Sequence, residues 1–187
     1  GGQAQVDYTY KNDHHQVIVT AQYNHFTWNQ ETRYTQYENT DTTRQEQDNY
    51  NRDQTVDLAV DYEWKPTKSS RLEAGMKTTI SLNRSNARAY NDHGRTQELY
   101  NYYTRFEGRT ENYALYLTYG NRFWDKLSLQ VGLRGEYYRR HLESYYKDNG
   151  GTEQDAYTQK EHKRDTAYFQ LFPSAYLSYD FGHGHEL

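Results

Sequence analysis

The sequence predicts an all-β fold, an antiparallel up-and-down meander of about seven strands. Three observations carry that expectation. Apolar and polar residues alternate with period two in several stretches, the pattern of strands with one apolar and one polar face. Short turn-like segments and long polar segments separate those stretches in strict alternation. Two of the stretches, 72–77 (LEAGMK) and 129–134 (LQVGLR), repeat one order of Leu, polar, small apolar, Gly, apolar and cation, as a sheet built from repeated hairpins would.

Residues 3–11 alternate, with Ala4, Val6, Tyr8 and Tyr10 on one face, and Asn12-Asp13-His14-His15 reads as a turn. Residues 16–28 form the second strand. Val17, Val19, Ala21 and Tyr23 share one side there, but Phe26 and Trp28 fall on the other, which predicts a bulge or the end of the buried zone. In the third strand, 55–64, Val56, Leu58, Val60, Tyr62 and Trp64 oppose Asp57, Asp61 and Glu63. In the fourth, 71–83, Leu72, Ala74, Met76, Ile80 and Leu82 oppose Glu73, Gly75, Lys77 and Ser81. The fifth, 110–119, sets Tyr113, Leu115, Leu117 and Tyr119 against Asn112, Ala114, Tyr116 and Thr118. The sixth, 127–137, is the clearest: Leu127, Leu129, Val131 and Leu133 on one face, Ser128, Gln130, Gly132, Arg134 and Glu136 on the other. The seventh, 166–181, aligns Phe169, Leu171, Pro173, Ala175, Leu177, Tyr179 and Phe181. Proline has no N–H for the ladder, so a bulge or interruption is expected at Pro173.

Composition bounds the rest. A hydrophobic content of 34% and a mean hydropathy of −1.30 are poor for a close-packed core. Yet 17% of residues are aromatic, 22 of them Tyr, and disordered chains are short of aromatics. The chain has no Cys, which excludes disulfides and thiolate metal sites. A net charge of −4 argues against a nucleic-acid partner. No run of 18 apolar residues exists to make a transmembrane helix.

The connections add direction. Short turns fall at about 12–15, 65–70, 120–125 and 182–185; long polar stretches fall at about 29–54, 84–105 and 139–165, the last with its tip expected at Asn149-Gly150-Gly151. The stretch 29–54 has no aliphatic residue and reads as loop or as strand extended into water. A meander with this spacing puts every short turn at one end and every long loop at the other, the layout of a transmembrane β-barrel segment. Aromatics near strand ends (Tyr62 and Trp64, Phe123 and Trp124, Tyr137 and Tyr138, Tyr179 and Phe181) fit interfacial girdles.

At these residues the sequence resembles the carboxy-terminal barrel of TonB-dependent outer-membrane receptors, in the branch called the outer membrane protein beta-barrel family. Four stretches carry the resemblance: 61–66 (DYEWKP) running into 72–77, 106–119, 129–136 (LQVGLRGE), and 168–174 (YFQLFPS) with Leu177-Ser178-Tyr179. The resemblance implies residence in the outer membrane of a Gram-negative bacterium and a many-stranded barrel around a plug domain. It also implies import of a bulky nutrient, such as a siderophore, glycan or peptide, powered from the inner membrane. Seven readable strands are too few for the whole barrel. Residues 1–187 therefore read as one barrel-wall segment without a plug, whose partners are outer-membrane lipid, the plug, the remaining strands and an unidentified nutrient.

On this reading Val56, Leu58, Val60, Leu72, Met76, Leu115, Leu117, Leu129, Val131, Leu133, Leu171 and Leu177 face lipid. Asp57, Asp61, Glu63, Glu73, Lys77, Gln130, Arg134 and Glu136 face the lumen, their charges pairing between neighbouring strands. Loop contacts to ligand would come from Tyr100, Tyr102, Tyr103 and Arg105, whose rings and cation suit sugars, peptides or siderophores equally. No nucleophile motif appears, and no catalytic residue, resident metal or cofactor is expected. His14-His15 and His183/His185/Glu186 have ligand-like spacing but read as solvated turn residues. Two other readings stay open. A soluble β-sheet glycan-binding module needs a second sheet over the apolar face. An outer-membrane barrel hydrolase needs loop carboxylates or histidines to converge. A separated segment would expose an apolar face and unpaired edges, so self-association is expected.

Overall fold

The computed structural model describes residues 1–38, 41–92, 99–124, 126–148, 158–182 and 185–186. Those residues form eight strands: β1 (Gly2–Lys11), β2 (His15–Glu38), β3 (Asp41–Trp64), β4 (Ser70–Asp92), β5 (Leu99–Phe123), β6 (Leu127–Asp148), β7 (Thr158–Gly182) and the two-residue β8 (His185–Glu186). They pair in chain order as one antiparallel meander. Only β8 goes beyond the seven expected strands; its first partner is Gly182, at the predicted turn.

The short turns are held by local side chains. Asn12 Oδ1 accepts from the His14 and His15 amides at 2.9 and 2.7 Å, an Asx-type turn. Thr67 Oγ1 does the same for the Ser70 amide at 3.1 Å. At the third turn Trp124 takes φ 51°, a left-handed conformation uncommon for a bulky residue.

The long polar stretches are mostly strand. β2 and β3 stay paired from His15↔Trp64 to Glu38↔Asp41, and β5 and β6 from Phe123↔Leu127 to Tyr102↔Asp148. Strands of 22 to 25 residues result from β2 through β7. The reason lies in the backbone, which pairs whatever the side chains are, provided turn and register allow it. The expected tip at 149–151, the turn residue Asp125 and His183 lie outside the described residues.

Neither a bulge in β2 nor an interruption at Pro173 is present. β2 keeps an unbroken register with β3 past Phe26 and Trp28, with Phe26↔Asp53 and Trp28↔Asn51, while its pairing with β1 ends at Gly2↔His25. The two aromatics therefore sit on the polar face without a bulge. Pro173 pairs with Leu133 in an unbroken β6–β7 register. β7 has no second described neighbour at that position, and a strand edge is where proline is tolerated.

The sheet is one layer. Its accessible surface is 13927 Å² for 22.4 kDa, about half as much again as the roughly 9400 Å² expected of a compact soluble monomer of that mass. Among the described residues only Ala89 and Ala114 are buried apolar residues, and no large side chain is fully buried. Leu115 and Leu177 are each 67% exposed. The second sheet that a soluble module requires is not among the described strands.

Candidate functional site

Register sorts the side chains into two faces, because directly opposed residues point the same way. One row runs Tyr8, Val19, Val60, Met76, Leu115, Gly135, Leu171, strand by strand. The next toward the short turns runs Tyr10, Val17, Tyr62, Ala74, Leu117, Leu133, Pro173. All twelve residues expected to be lipid-facing lie on this apolar face, and all eight expected to line a lumen lie on the opposite one. On β4 the apolar face runs from Leu72 to Leu82. At about 3.4 Å per residue and a tilt near 40°, that is about 26 Å, against the ~25 Å apolar band of outer-membrane barrels.

Aromatics close the band at both ends. Toward the short turns, Trp64 stacks on His15 at 6.3 Å and Tyr179 meets Phe181 edge-on at 4.8 Å. Trp124, 84% exposed, stands in its turn beyond them. At the other end Tyr113 stacks on its cross-strand partner Tyr137 at 6.4 Å, and Phe169 opposes Tyr137 on the next strand. Tyr138 departs from the expected girdle: it lies on the polar face, stacked on Tyr168 at 4.9 Å.

The polar face is hydrogen-bonded across strands. Glu63 and Glu73 stand directly opposite each other, a like-charge pair. Arg71 relieves it by bonding both, at 2.5 Å to Glu63, and Lys65 adds a 2.8 Å contact to Glu63. The Tyr116 hydroxyl donates to Asp61, so its ring reaches from β5 across β4 to β3. It can do so because Gly75 lies beneath: a Cβ there would stand 2.5 Å from the Tyr116 ring. Charge pairing is more local than expected. Arg134 bonds Glu136 two residues along its own strand at 2.5 Å, and Lys77 makes no ion pair among the described residues.

Beyond the band the same strands continue with different chemistry. On the apolar face's side the rows become charged: Arg109, His141 and Asp165 in one, Arg52, Arg84, Glu107, Glu143 and Lys163 in the next. Here hydrogen bonds from Arg105 hold the Glu107 carboxylate below its ordinary pKa, and those from Lys163 do the same for Glu143. Hydrogen bonding to Asp165 at 2.6 Å, then to Glu143, raises the His141 imidazole. Tyr103 and Arg105 prove to be strand residues of β5 on this outward side, not loop residues, and they share the face of Leu115. Arg105 is engaged by Glu107, and Tyr103 carries Arg88 over its ring at 5.6 Å. Tyr100 and Tyr102 also fall in β5, and their side chains lie outside the described set.

The opposite side of these extensions carries Phe26, Trp28 and Phe106 among Asn, Ser and Thr residues. The sequence reading missed this aromatic lining. Its signal was present in the even spacing of Phe26 and Trp28, out of phase with Val17 to Tyr23. Among the described residues no group of His, Asp or Glu could hold a metal ion.

The model of the outer membrane protein beta-barrel family matches residues 8–187. Among curated proteins none matches. The fold is similar to that of the ferric yersiniabactin uptake receptor FyuA from Yersinia pestis, with TM-score 0.57 and 11% identity over 97% of this chain and 26% of that one. It is similar also to the ferric-catecholate import receptor Fiu from E. coli K12, with TM-score 0.59 and 11% identity over 96% of this chain and 30% of that one. The chain thus spans less than a third of either receptor.

Proposed function

Because the chain belongs to the outer membrane protein beta-barrel family, we propose that it is a wall segment of an outer-membrane receptor that imports a bulky nutrient with TonB-type energy coupling. The observation that carries this reading is a single sheet whose β1–β7 registers run unbroken through the apolar band, apolar on one face over one membrane thickness and polar on the other. The apolar face meets lipid through the twelve aliphatic residues named above. The polar face lines the lumen and contacts the plug and the water around it. The extended ends, with Phe26, Trp28 and Phe106 on the inner side, form part of the vestibule where ligand is first held. The segment itself does no bond chemistry. FyuA and Fiu take up iron chelates, as their names state, and a siderophore is the first ligand class to assay.

Residues 1–187 contain no Cys, so a cysteine introduced here is the only one in the segment, and any elsewhere in the receptor is replaced by Ser. With the protein in lipid bilayers, a fluorophore is placed in turn at positions 113 to 118 of β5. Brominated acyl chains should quench it at 113, 115 and 117 and spare it at 114, 116 and 118. Equal quenching at all six positions overturns the wall assignment. For the transport half, uptake of labelled siderophore, peptide and glycan pools is measured with and without the energy-coupling complex. Uptake that ignores the complex overturns TonB-type coupling.

A further inference from the structure

A groove of about 350 Å³ opens on the outward side of the sheet, just beyond the apolar band. Arg52, Arg84, Arg109 and His141 line it with two carboxylates, Glu107 and Glu143, and Leu82 forms its lower edge. These six polar residues come from β3, β4, β5 and β6, and register puts them all on the face of Leu115. We propose that this groove binds the phosphate of a phosphorylated lipid headgroup in the outer leaflet. The proposal rests on the reading that the apolar face meets lipid.

Arg52 stands directly opposite Arg84 across the β3–β4 ladder, and like charges so placed repel. Arg84 bonds Glu107 at 2.6 Å, but Glu107 is shared with Arg105 at 2.5 Å. Arg109 is turned to Glu111 at 2.5 Å. Arg52 has no ion pair among the described residues. A phosphate between Arg52 and Arg84 would supply the missing anion through charge-assisted, bidentate hydrogen bonds. His141 stands at the groove's side with both ring nitrogens bonded, Nδ1 to Asp165 at 2.6 Å and Nε2 to Glu143 at 3.2 Å, so the phosphate contacts fall to Arg52 and Arg84.

Leu82 is the last aliphatic residue on the outward face of β4, and Arg84 follows two residues on, about 7 Å further from the bilayer centre along the strand. That depth is the headgroup level. A lipid whose phosphate sat on Arg52 and Arg84 would run its acyl chains down over Leu82 and Ile80 into the band. A soluble anion would gain nothing from that apolar edge, so the lipid is the occupant the groove fits.

The test uses the whole receptor that carries this chain, in nanodiscs of phosphatidylcholine doped with phosphatidic acid or with neutral diacylglycerol. Native mass spectrometry counts the lipid retained on ejection. Phosphatidic acid should be retained over diacylglycerol. R52Q/R84Q should lower that enrichment about tenfold, as expected for loss of charge-assisted bonds. R52Q alone, which breaks no ion pair, should give part of the loss. The charge-matched K160Q/R164Q on the opposite face should leave enrichment intact. Enrichment that is equal in R52Q/R84Q and the wild type overturns the proposal. So does displacement of the lipid by excess inorganic phosphate, which would make this a free-anion site. Brominated-lipid quenching at position 115 in the same discs tells the two readings apart. Quenching without phosphatidic acid enrichment ends only the headgroup proposal, and loss of quenching ends the wall assignment beneath it.

Discussion

The lower and upper halves of β3 through β6 share one backbone plan and differ in almost everything else. Near the short turns, β3 reads Val56, Leu58, Val60, Tyr62 on one side and Asp57, Asp61, Glu63 on the other. Near the far end, the same strand reads Arg44 to Asp53 with no aliphatic residue at all. The ladder does not notice: pairing with β2 and β4 runs through both halves without a register shift in β3. Side-chain polarity therefore reports what each half of the strand faces, while hydrogen bonding keeps both halves straight. A strand needs only about 9–11 residues to cross a bilayer, so the 24 residues of β3 leave more than half its length outside.

The largest expected effect breaks that symmetry directly. Leu115→Arg puts a cation at the middle of the apolar face and should destabilise the assembled barrel by about 2–4 kcal/mol. Asn29→Arg, on the same face but in the upper half, should change stability by less than about 0.5 kcal/mol. Urea titration of both variants refolded into lipid vesicles measures the difference. Equal costs would mean that the two halves share one environment, and the comparison would fail.

This contrast also explains what the sequence disclosed. Period-two alternation detects a strand only where its two faces meet different surroundings. Residues 127–137 and 55–64 were legible for that reason, as were the twelve apolar and eight polar positions read from these and the other alternating stretches. The upper halves have water on both sides in any isolated reading, so Asn29–Glu38 and Arg139–Asp148 carried no alternation, and loop could not be told from strand extended into water. Tyr103 and Arg105 could not be given a face without the β5 register, which only the pairing with β4 and β6 supplies. Tyr116 lying over Gly75 was equally hidden: a glycine in a strand signals close approach, but not which ring approaches.

Gly75 gives the next effect in size and probes the polar face within the membrane half. Any side chain there must displace the Tyr116 ring, since a Cβ would lie 2.5 Å from it, and the Tyr116–Asp61 hydrogen bond would go with it. Gly75→Leu should cost about 1–3 kcal/mol by overpacking. Removing the obstacle should recover most of that loss, so Gly75→Leu with Tyr116→Ala should be more stable than Gly75→Leu alone. A double-mutant cycle by urea titration reads the coupling. Strictly additive costs would show that the ring is free to leave and that the cross-strand reach does not organise this face.

The smallest effect belongs to the upper half, where exposed charges replace apolar burial. His141 is raised above its ordinary value by Asp165 first and Glu143 second, so its protonated form is the one the folded sheet favours. A raised cation contributes stability that is complete below its unfolded pKa and is lost as pH rises through the higher folded one. Glu143 is lowered by Lys163 and His141, so its contribution is present above its unfolded pKa and is lost as pH falls through the lower folded one. Together they give the β6–β7 extension a stability plateau bounded on the alkaline side by His141 and on the acid side by Glu143. Both groups reach solvent, so salt should flatten the plateau. Hydrogen exchange of residues 139–148, corrected for intrinsic rate, should show protection declining above the ordinary histidine range, and His141→Gln should remove that alkaline step while leaving the acid one. If the alkaline step survives His141→Gln, another group sets it, and the upper half is held by its backbone ladder rather than by this charge row.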